Sequence, residues 1–134
     1  MSQLTRANVV QAALDALEMK GLEGLSVRVV ADRLGVRVNT VLWHVKTKAR
    51  ILALMADAIV GEIDYGGLPT VTQERVRELA HRYRQALPAH RDGAALVTGT
   101  YPAEPHISRF AEYVVRHCSR RASARRRRPG PRGR

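Results

Sequence analysis

The 134-residue sequence predicts an all-α protein. Apolar residues recur at three- and four-residue spacing in successive segments, as they do along the buried side of a helix. Between these segments lie residues that cap helix starts or stop helices, chiefly Ser, Thr, Gly and Pro. Strand-like alternation of apolar and polar residues is not sustained anywhere in the sequence, and no internal repeat is visible. We therefore expect several helices and no sheet.

The first two helices are predicted from their caps. The first runs from a Thr5 cap to Gly21, and Ser26 is positioned to cap a shorter second helix that Gly35 ends. Glycine suits such an end because it adopts the left-handed conformation without steric cost. The apolar positions of the first helix are Val9, Ala12, Ala13, Ala16, Leu17 and Met19.

A third helix is predicted over residues 38–45. Its spacing places Val41 and Val45 on one side and leaves a mainly polar surface on the other. A helix, a tight glycine turn and a short helix with a polar face are together typical of a helix-turn-helix. Trp43, also in this helix, is expected to fill a gap between helices, since a lone tryptophan is usually well buried.

A long fourth helix follows, from a Thr47 cap to roughly Asp64, and residues 66–69 (Gly-Gly-Leu-Pro) break it. Its apolar stripe is Ile51, Leu52, Met55, Ile59 and Ile63. This break is the predicted domain boundary.

Three further helices are predicted after the break. Thr70 and Gln73 resemble a capping box for a helix that closes at Pro88, with Val76, Leu79, Ala80, Tyr83 and Leu87 inward. Asp92 is expected to cap a short helix around residues 94–97. The last helix is predicted over residues 105–118, with Ile107, Phe110, Ala111 and Val114 on its apolar side.

The net charge of +11 is unevenly distributed along the chain. Residues 1–50 hold eight basic and four acidic side chains, residues 51–118 seven and eight, and residues 119–134 eight and none. The last segment has no apolar residue larger than alanine or proline, so we expect a disordered polybasic tail. A basic balance of this size favours a polyanionic partner.

Membrane and secreted classes are excluded by the sequence pattern. The longest apolar stretch, residues 51–60, is too short to cross a bilayer and is interrupted by Asp57. The N-terminus lacks a secretory pattern, and Cys118 is the single cysteine, so no internal disulfide forms. We therefore expect a cytoplasmic protein with no membrane partner.

Catalysis is not expected. His90 with Asp92, and His117 with Cys118, are the pairs that come nearest to acid–base or nucleophilic chemistry. Neither pair lies in a nucleophile elbow, a metal-ligand spacing or a glycine-rich phosphate loop. The sequence therefore predicts no enzyme, no metal site and no cofactor.

Residues 25–52, LSVRVVADRLGVRVNTVLWHVKTKARIL, resemble the DNA-binding domain of the tetracycline-repressor (TetR) family. Residues 90–104, HRDGAALVTGTYPAE, resemble a segment of the regulatory core of tetracycline-responsive members. The resemblance covers about residues 4–118. It implies a helix-turn-helix DNA-binding domain at 1–47 and a connecting helix with a partial regulatory, ligand-binding domain at 48–118, before the tail at 119–134.

The resemblance also implies the DNA contacts. They are Arg28, Arg37, Val38, Asn39, Thr40, His44, Lys46 and Lys48. Arginine can bind guanine and asparagine adenine through paired hydrogen bonds, a valine or threonine methyl can meet the thymine methyl, and the two lysines suit phosphate. The alternative is that these are ordinary solvated side chains. Family members usually carry an aromatic residue at the position of Leu42, so one phosphate contact is lost here.

The resemblance implies a ligand pocket whose lining differs from that of tetracycline-responsive members. Where tetracycline-responsive members have a magnesium-binding histidine and a drug-binding asparagine, this chain has Val97 and Leu79. Tyr83, Thr100, Tyr101, Pro102 and Tyr113 would give a pocket a more apolar and aromatic character, suited to another small-molecule effector. The alternative is that they fill the core.

The favoured function is a transcriptional repressor that binds a palindromic operator in double-stranded DNA as a homodimer and is released by an unknown effector. Family members have longer regulatory domains ending in dimer helices, which the arginine run replaces here. A truncation or a shifted reading frame is our hypothesis for that switch, and a natural polybasic tail is the alternative. The competing function is a remnant or polybasic protein that binds nucleic acid non-specifically through residues 119–134.

Overall fold

The computed structural model of the chain describes residues 4–100 and 104–126, with the backbone alone for 117–126. These ranges contain seven helices and no strand, which confirms the all-α prediction. The helices are α1 Arg6–Lys20, α2 Val27–Leu34, α3 Val38–His44, α4 Lys48–Gly61, α5 Thr72–Ala86, α6 Gly93–Thr98 and α7 Pro105–Arg126. None of the described helices is long and apolar enough to cross a membrane.

The predicted caps of the first two helices are confirmed. The Thr5 hydroxyl accepts from the Asn8 amide at 3.2 Å, and the Asn8 side chain accepts from the Thr5 amide at 3.0 Å. The Ser26 hydroxyl accepts from the Val29 amide at 3.2 Å. Gly35 ends α2 at φ +67°, a conformation that side-chain-bearing residues rarely adopt. These local bonds satisfy amide groups that a helix start leaves unpaired.

Helices α1, α2 and α3 form a compact unit, here called the head, which packs on α4 mainly through α1. The head and α4 bury one continuous core, to which α6 adds Leu96 and Val97. The fully buried side chains at its centre are Val9, Leu17, Val30, Val41, Val45, Ile51, Met55, Ile59 and Val60. Helix α4 also packs against α6 and α7, and α5 packs chiefly against α7. Helix α4 is therefore the element that joins the head to the rest of the chain.

Two residues of α1 differ from their prediction. Met19 is 66% exposed rather than inward, and the guanidinium of Arg33 lies 3.0 Å from its sulfur. Met19 lies in the last turn, beside a shallow groove between α1 and α2, where none of the described elements covers it. Leu14, which was not predicted to face inward, is buried because α1 packs against α2, α3 and α4 and so buries a wide arc.

The boundaries of α4, α5 and α7 also differ from prediction. Helix α4 ends at Gly61 rather than near residue 64. The N-cap of α5 is Val71, so the capping box at Thr70 is wrong, and Leu79 is the one fully buried residue of that helix. Helix α7 continues to Arg126, eight residues past its predicted end, because alanine and arginine favour helix and no glycine or proline intervenes. Residues 127–134, the rest of the predicted tail, lie outside the described residues.

Candidate nucleic-acid interface

The polar face of α3 rests on two buried valines. Val41 and Val45 are both almost fully buried, which holds one side of this seven-residue helix against the core. Arg37, Asn39 and Thr40 are exposed at its start. The turn at Gly35 sets the angle between α2 and α3, and the Val36 amide there donates to the Ala31 carbonyl at 3.0 Å. The first turn of α3 thus presents a polar surface at a fixed angle to α2.

The remaining predicted contacts lie around this turn. Arg28 is exposed in the first turn of α2, whereas Val38 and His44 on α3 are half-buried. Lys46 and Lys48 are exposed on either side of Thr47, whose hydroxyl caps α4 by accepting from the Arg50 amide at 3.1 Å. All eight predicted residues therefore reach the surface and come from the helix-turn-helix and the start of α4.

Trp43 corrects one expectation, because it is 75% exposed rather than packed between helices. Residue 43 lies two positions from both Val41 and Val45, about 200° away from each around the helix, so it faces outward when they face inward. The Lys46 ammonium lies 4.9 Å from the centre of the indole ring and donates to the Trp43 carbonyl at 3.2 Å. The exposed indole therefore holds Lys46 beside α3 by a cation–π contact.

Helix α4 is tied to α7 by two polar contacts that sequence reasoning missed. Arg50, in the first turn of α4, pairs with Glu104, which is buried just before α7. Asp57 is buried in mid-helix, and its carboxylate accepts from the amides of His106 and Ile107 at 2.8 and 3.1 Å. It thereby neutralises the start of α7, where unpaired amides attract a negative charge. The sequence signal that could have revealed this contact is an acidic residue, Asp57, within the apolar stretch of α4.

Only part of the predicted effector site is brought together. Tyr83 stacks on Phe110 with ring centres 4.9 Å apart, beside an apolar groove of about 390 Å³ between α5 and α7. The groove is lined by Val76, Ala80, Tyr83, Arg84, Phe110 and Val114. Thr100 is half-buried and donates to the Val97 carbonyl at 3.0 Å. Tyr101 and Pro102 lie outside the described residues.

Tyr113 belongs to a different cluster. Its ring stacks on Tyr65, in the segment between α4 and α5, at 4.3 Å between centres, and the Arg109 guanidinium lies over both rings. Burial raises the pKa of Tyr65, although the Arg109 charge acts in the opposite direction. Tyr113 thus holds the α4–α5 connection onto α7 rather than lining the groove beside Tyr83.

Val97 and Leu79 stand at the positions that match a magnesium-binding histidine and a drug-binding asparagine in tetracycline-responsive members. Here both side chains pack in the interior of the protein. Leu79 is completely buried in α5, and Val97 is buried in α6. Asp92 does precede α6 as predicted, but its side chain does not cap that helix. Its carboxylate accepts instead from the Leu22 amide at 2.9 Å, which ties the start of α6 to the end of α1.

Comparison with known proteins connects this geometry to a family. Residues 68–120 match the model of the tetracyclin repressor-like C-terminal domain. A TetR variant from Acinetobacter baumannii AYE, solved with minocycline, is 33% identical and superposes with a TM-score of 0.76 over 88% of this chain and 68% of that one. The chain belongs to the TetR family of transcriptional regulators.

Other TetR-family relatives extend the likeness across the head. The class E tetracycline repressor of Escherichia coli is 36% identical over 110 residues, which are 80% of this chain and 52% of that protein. BioQ, solved with its double-stranded DNA operator, is 28% identical with a TM-score of 0.80 over 88% of this chain and 72% of that one. The chain spans about half the length of the curated relatives it matches.

Proposed function

We propose that this TetR-family chain is a sequence-specific DNA-binding transcriptional repressor acting in the cytoplasm. The observation that carries the proposal is the exposed polar start of α3, held by buried Val41 and Val45 and angled by the Gly35 turn. A short helix presented in this way fits the major groove of B-DNA. The likeness to BioQ, solved on its operator, supports the same reading of α3.

The proposed division of labour follows from side-chain chemistry. Arg28 and Asn39 contact bases through paired hydrogen bonds, because a guanidinium matches guanine and a carboxamide matches adenine. The remaining proposed contacts are Arg37, Val38, Thr40, His44, Lys46 and Lys48. Of these, the two lysines bind phosphate, which positions the helix without reading sequence. The half-buried Val38 offers a methyl surface to thymine.

We further propose that the working form is a homodimer on a palindromic operator. Paired helix-turn-helix units contact half-sites about one helical turn apart, roughly 34–36 Å. A small-molecule effector that favours a different spacing of the two heads would release the operator. The apolar groove beside Tyr83 and Phe110 is the proposed effector site, and its lining suits a lipophilic ligand with an aromatic ring.

Selection of DNA duplexes from a random pool tests the repressor proposal. We expect enrichment of a palindrome whose half-sites lie one turn apart, and tight binding that survives removal of residues 119–134. Salt dependence separates this from the polybasic alternative, since each phosphate neutralised steepens the fall of affinity with salt. If no sequence is enriched and all binding is lost with residues 119–134, the alternative is correct.

The effector proposal predicts poor binding of magnesium–tetracycline. Leu79 and Val97 are buried and apolar, so they offer the cation no lone pair and the drug no hydrogen-bond partner. Titration of tetracycline with magnesium, followed by drug fluorescence, should show no saturation at micromolar protein. Saturation in that range would contradict the proposed character of the site.

A further inference from the structure

His90 joins two helices that are far apart in the sequence. It lies in the connection between α5 and α6, and its Nδ1 is 3.0 Å from a carboxylate oxygen of Glu18 in the last turns of α1. Its Nε2 is 2.8 Å from a carboxylate oxygen of Glu62, the C-cap residue that directly follows α4. The imidazole therefore bridges the head and the C-terminal end of α4.

The residues after His90 seat the same connection against the end of α1. The Arg91 amide donates to the Glu18 carboxylate at 3.3 Å, and the Arg91 guanidinium donates to the Met19 carbonyl at 3.1 Å. Gly21, at φ +72°, makes room for the contact, because a Cβ there would lie 2.8 Å from the Asp92 carboxylate. Residues 90–92 thus form a clasp on the head, and His90 extends this clasp to Glu62, directly after α4.

The protonation state of His90 decides whether both links hold. A neutral imidazole has one N–H and can donate to one carboxylate, whereas the imidazolium donates from both nitrogens. We propose that His90 is a positioning residue that, in its doubly protonated form, fixes the head to the end of α4 and so tunes operator binding to pH. This inference rests on the proposed DNA-binding function for its last step and on geometry for the others.

The surroundings favour the charged form. Burial by itself lowers the pKa of His90, but the hydrogen bond and charge of Glu62, and then those of Glu18, outweigh it and raise the pKa above 6.5. The groups that contact His90 are the carboxylates of Glu18 and Glu62. The other charged and titratable groups around the clasp are Lys20 and Glu23, which share a groove with Arg91 and Asp92, and His106 of α7, which packs on Gly61 beside Glu62.

The sign of the pH effect follows from this direction. Because the pKa is higher in the folded chain than in the unfolded one, the stabilisation is complete below about pH 6.5. This stabilisation is lost as the pH rises through the pKa that His90 has in the folded chain. The head then keeps its core packing on α4 and the contacts of Arg91 and Asp92, but it loses the link from α1 through His90 to Glu62.

Proton NMR titration of the histidine rings in the full chain tests the first step. The His90 resonance is assigned by its absence in His90→Gln. We expect its midpoint to fall in Glu18→Gln/Glu62→Gln and to stay unchanged in the control His81→Gln, since His81 is exposed on α5. If the His90 midpoint is unchanged in Glu18→Gln/Glu62→Gln, the proposal is wrong.

Amide exchange and DNA binding test the second step. Protection of the Leu22 and Arg91 amides should fall several-fold through the His90 midpoint in the wild type, relative to the Val45 amide within the head, and should be independent of pH in His90→Gln. Affinity for a selected operator should fall over the same range more steeply in the wild type than in His90→Gln.

These outcomes separate the two proposals. If no operator can be selected, the proposed function fails. The ring titration and the amide exchange then still test whether protonation of His90 links Glu18 to Glu62. If the amides lose protection through the midpoint but operator affinity follows the same pH profile in wild type and His90→Gln, the pH tuning of DNA binding is refuted.

Discussion

The head with α4 and the pair α5–α7 are held together in different ways. Among the described residues, every buried apolar side chain except Leu79, Leu96 and Val97 lies between Val9 and Ile63. Helices α5 and α7 meet through half-buried rings, with Tyr83 stacked on Phe110, and α7 is anchored to α4 by Asp57 and by the pairing of Arg50 with Glu104.

This contrast indicates which region supplies most of the folding stability. Burial of apolar surface dominates folding free energy, so the head and α4 hold most of the stability that the described residues supply. Apart from Leu79, the described apolar side chains of α5 and α7 are at most partly buried against this core. The pair therefore depends more on aromatic contacts and on a few polar anchors, which contribute less free energy. The surface that we propose reads DNA bases is therefore built on the more stable region.

A matched pair of leucine substitutions tests the contrast with the largest expected effect. Leu17 and Leu79 are both completely buried, but only Leu17 lies in the continuous core. Leu17→Ala should lower the free energy of unfolding by about 2–5 kcal/mol, because the surrounding core cannot close the cavity. Leu79→Ala should cost about 2 kcal/mol or less, since its half-buried neighbours can relax. Denaturant unfolding measures both.

Hydrogen exchange in the same two variants locates the losses. We expect protection in residues 5–64 to drop in Leu17→Ala and to be retained in Leu79→Ala, whose losses should be confined to α5 and α7. Equal destabilisation by both changes, with protection lost uniformly through residue 116, would show that the two regions form one cooperative unit.

Sequence patterns predicted the head well because its determinants are local. Thr5, Ser26 and Gly35 act within a few residues of where they stand, and each has the predicted role. The valines under α3 followed from helical spacing alone. The resemblance to the TetR family, stated from residues 25–52 and 90–104, is confirmed by the comparisons. The individual DNA contacts remain predictions.

The features that were missed depend on residues distant in sequence. Asp57 and His90 find their partners about 30 to 70 residues away, so no local pattern could pair them. Asp92 was predicted from a local rule, yet its carboxylate bonds to a distant amide instead. The prediction for Trp43 was wrong because it relied on how often tryptophan is buried in general. The helical geometry of α3 instead places residue 43 on the side opposite Val41 and Val45, where it is exposed.

The central claim, that α2 and α3 read DNA sequence, is tested most directly by binding of surface variants to a selected operator and to random duplex. Arg28→Ala and Asn39→Ala should each weaken operator binding by about 1–3 kcal/mol and leave random-duplex binding nearly unchanged. Lys48→Ala should weaken both, whereas Arg77→Ala, an exposed arginine on α5, should change neither. Undiminished operator affinity in Arg28→Ala/Asn39→Ala would contradict the claim.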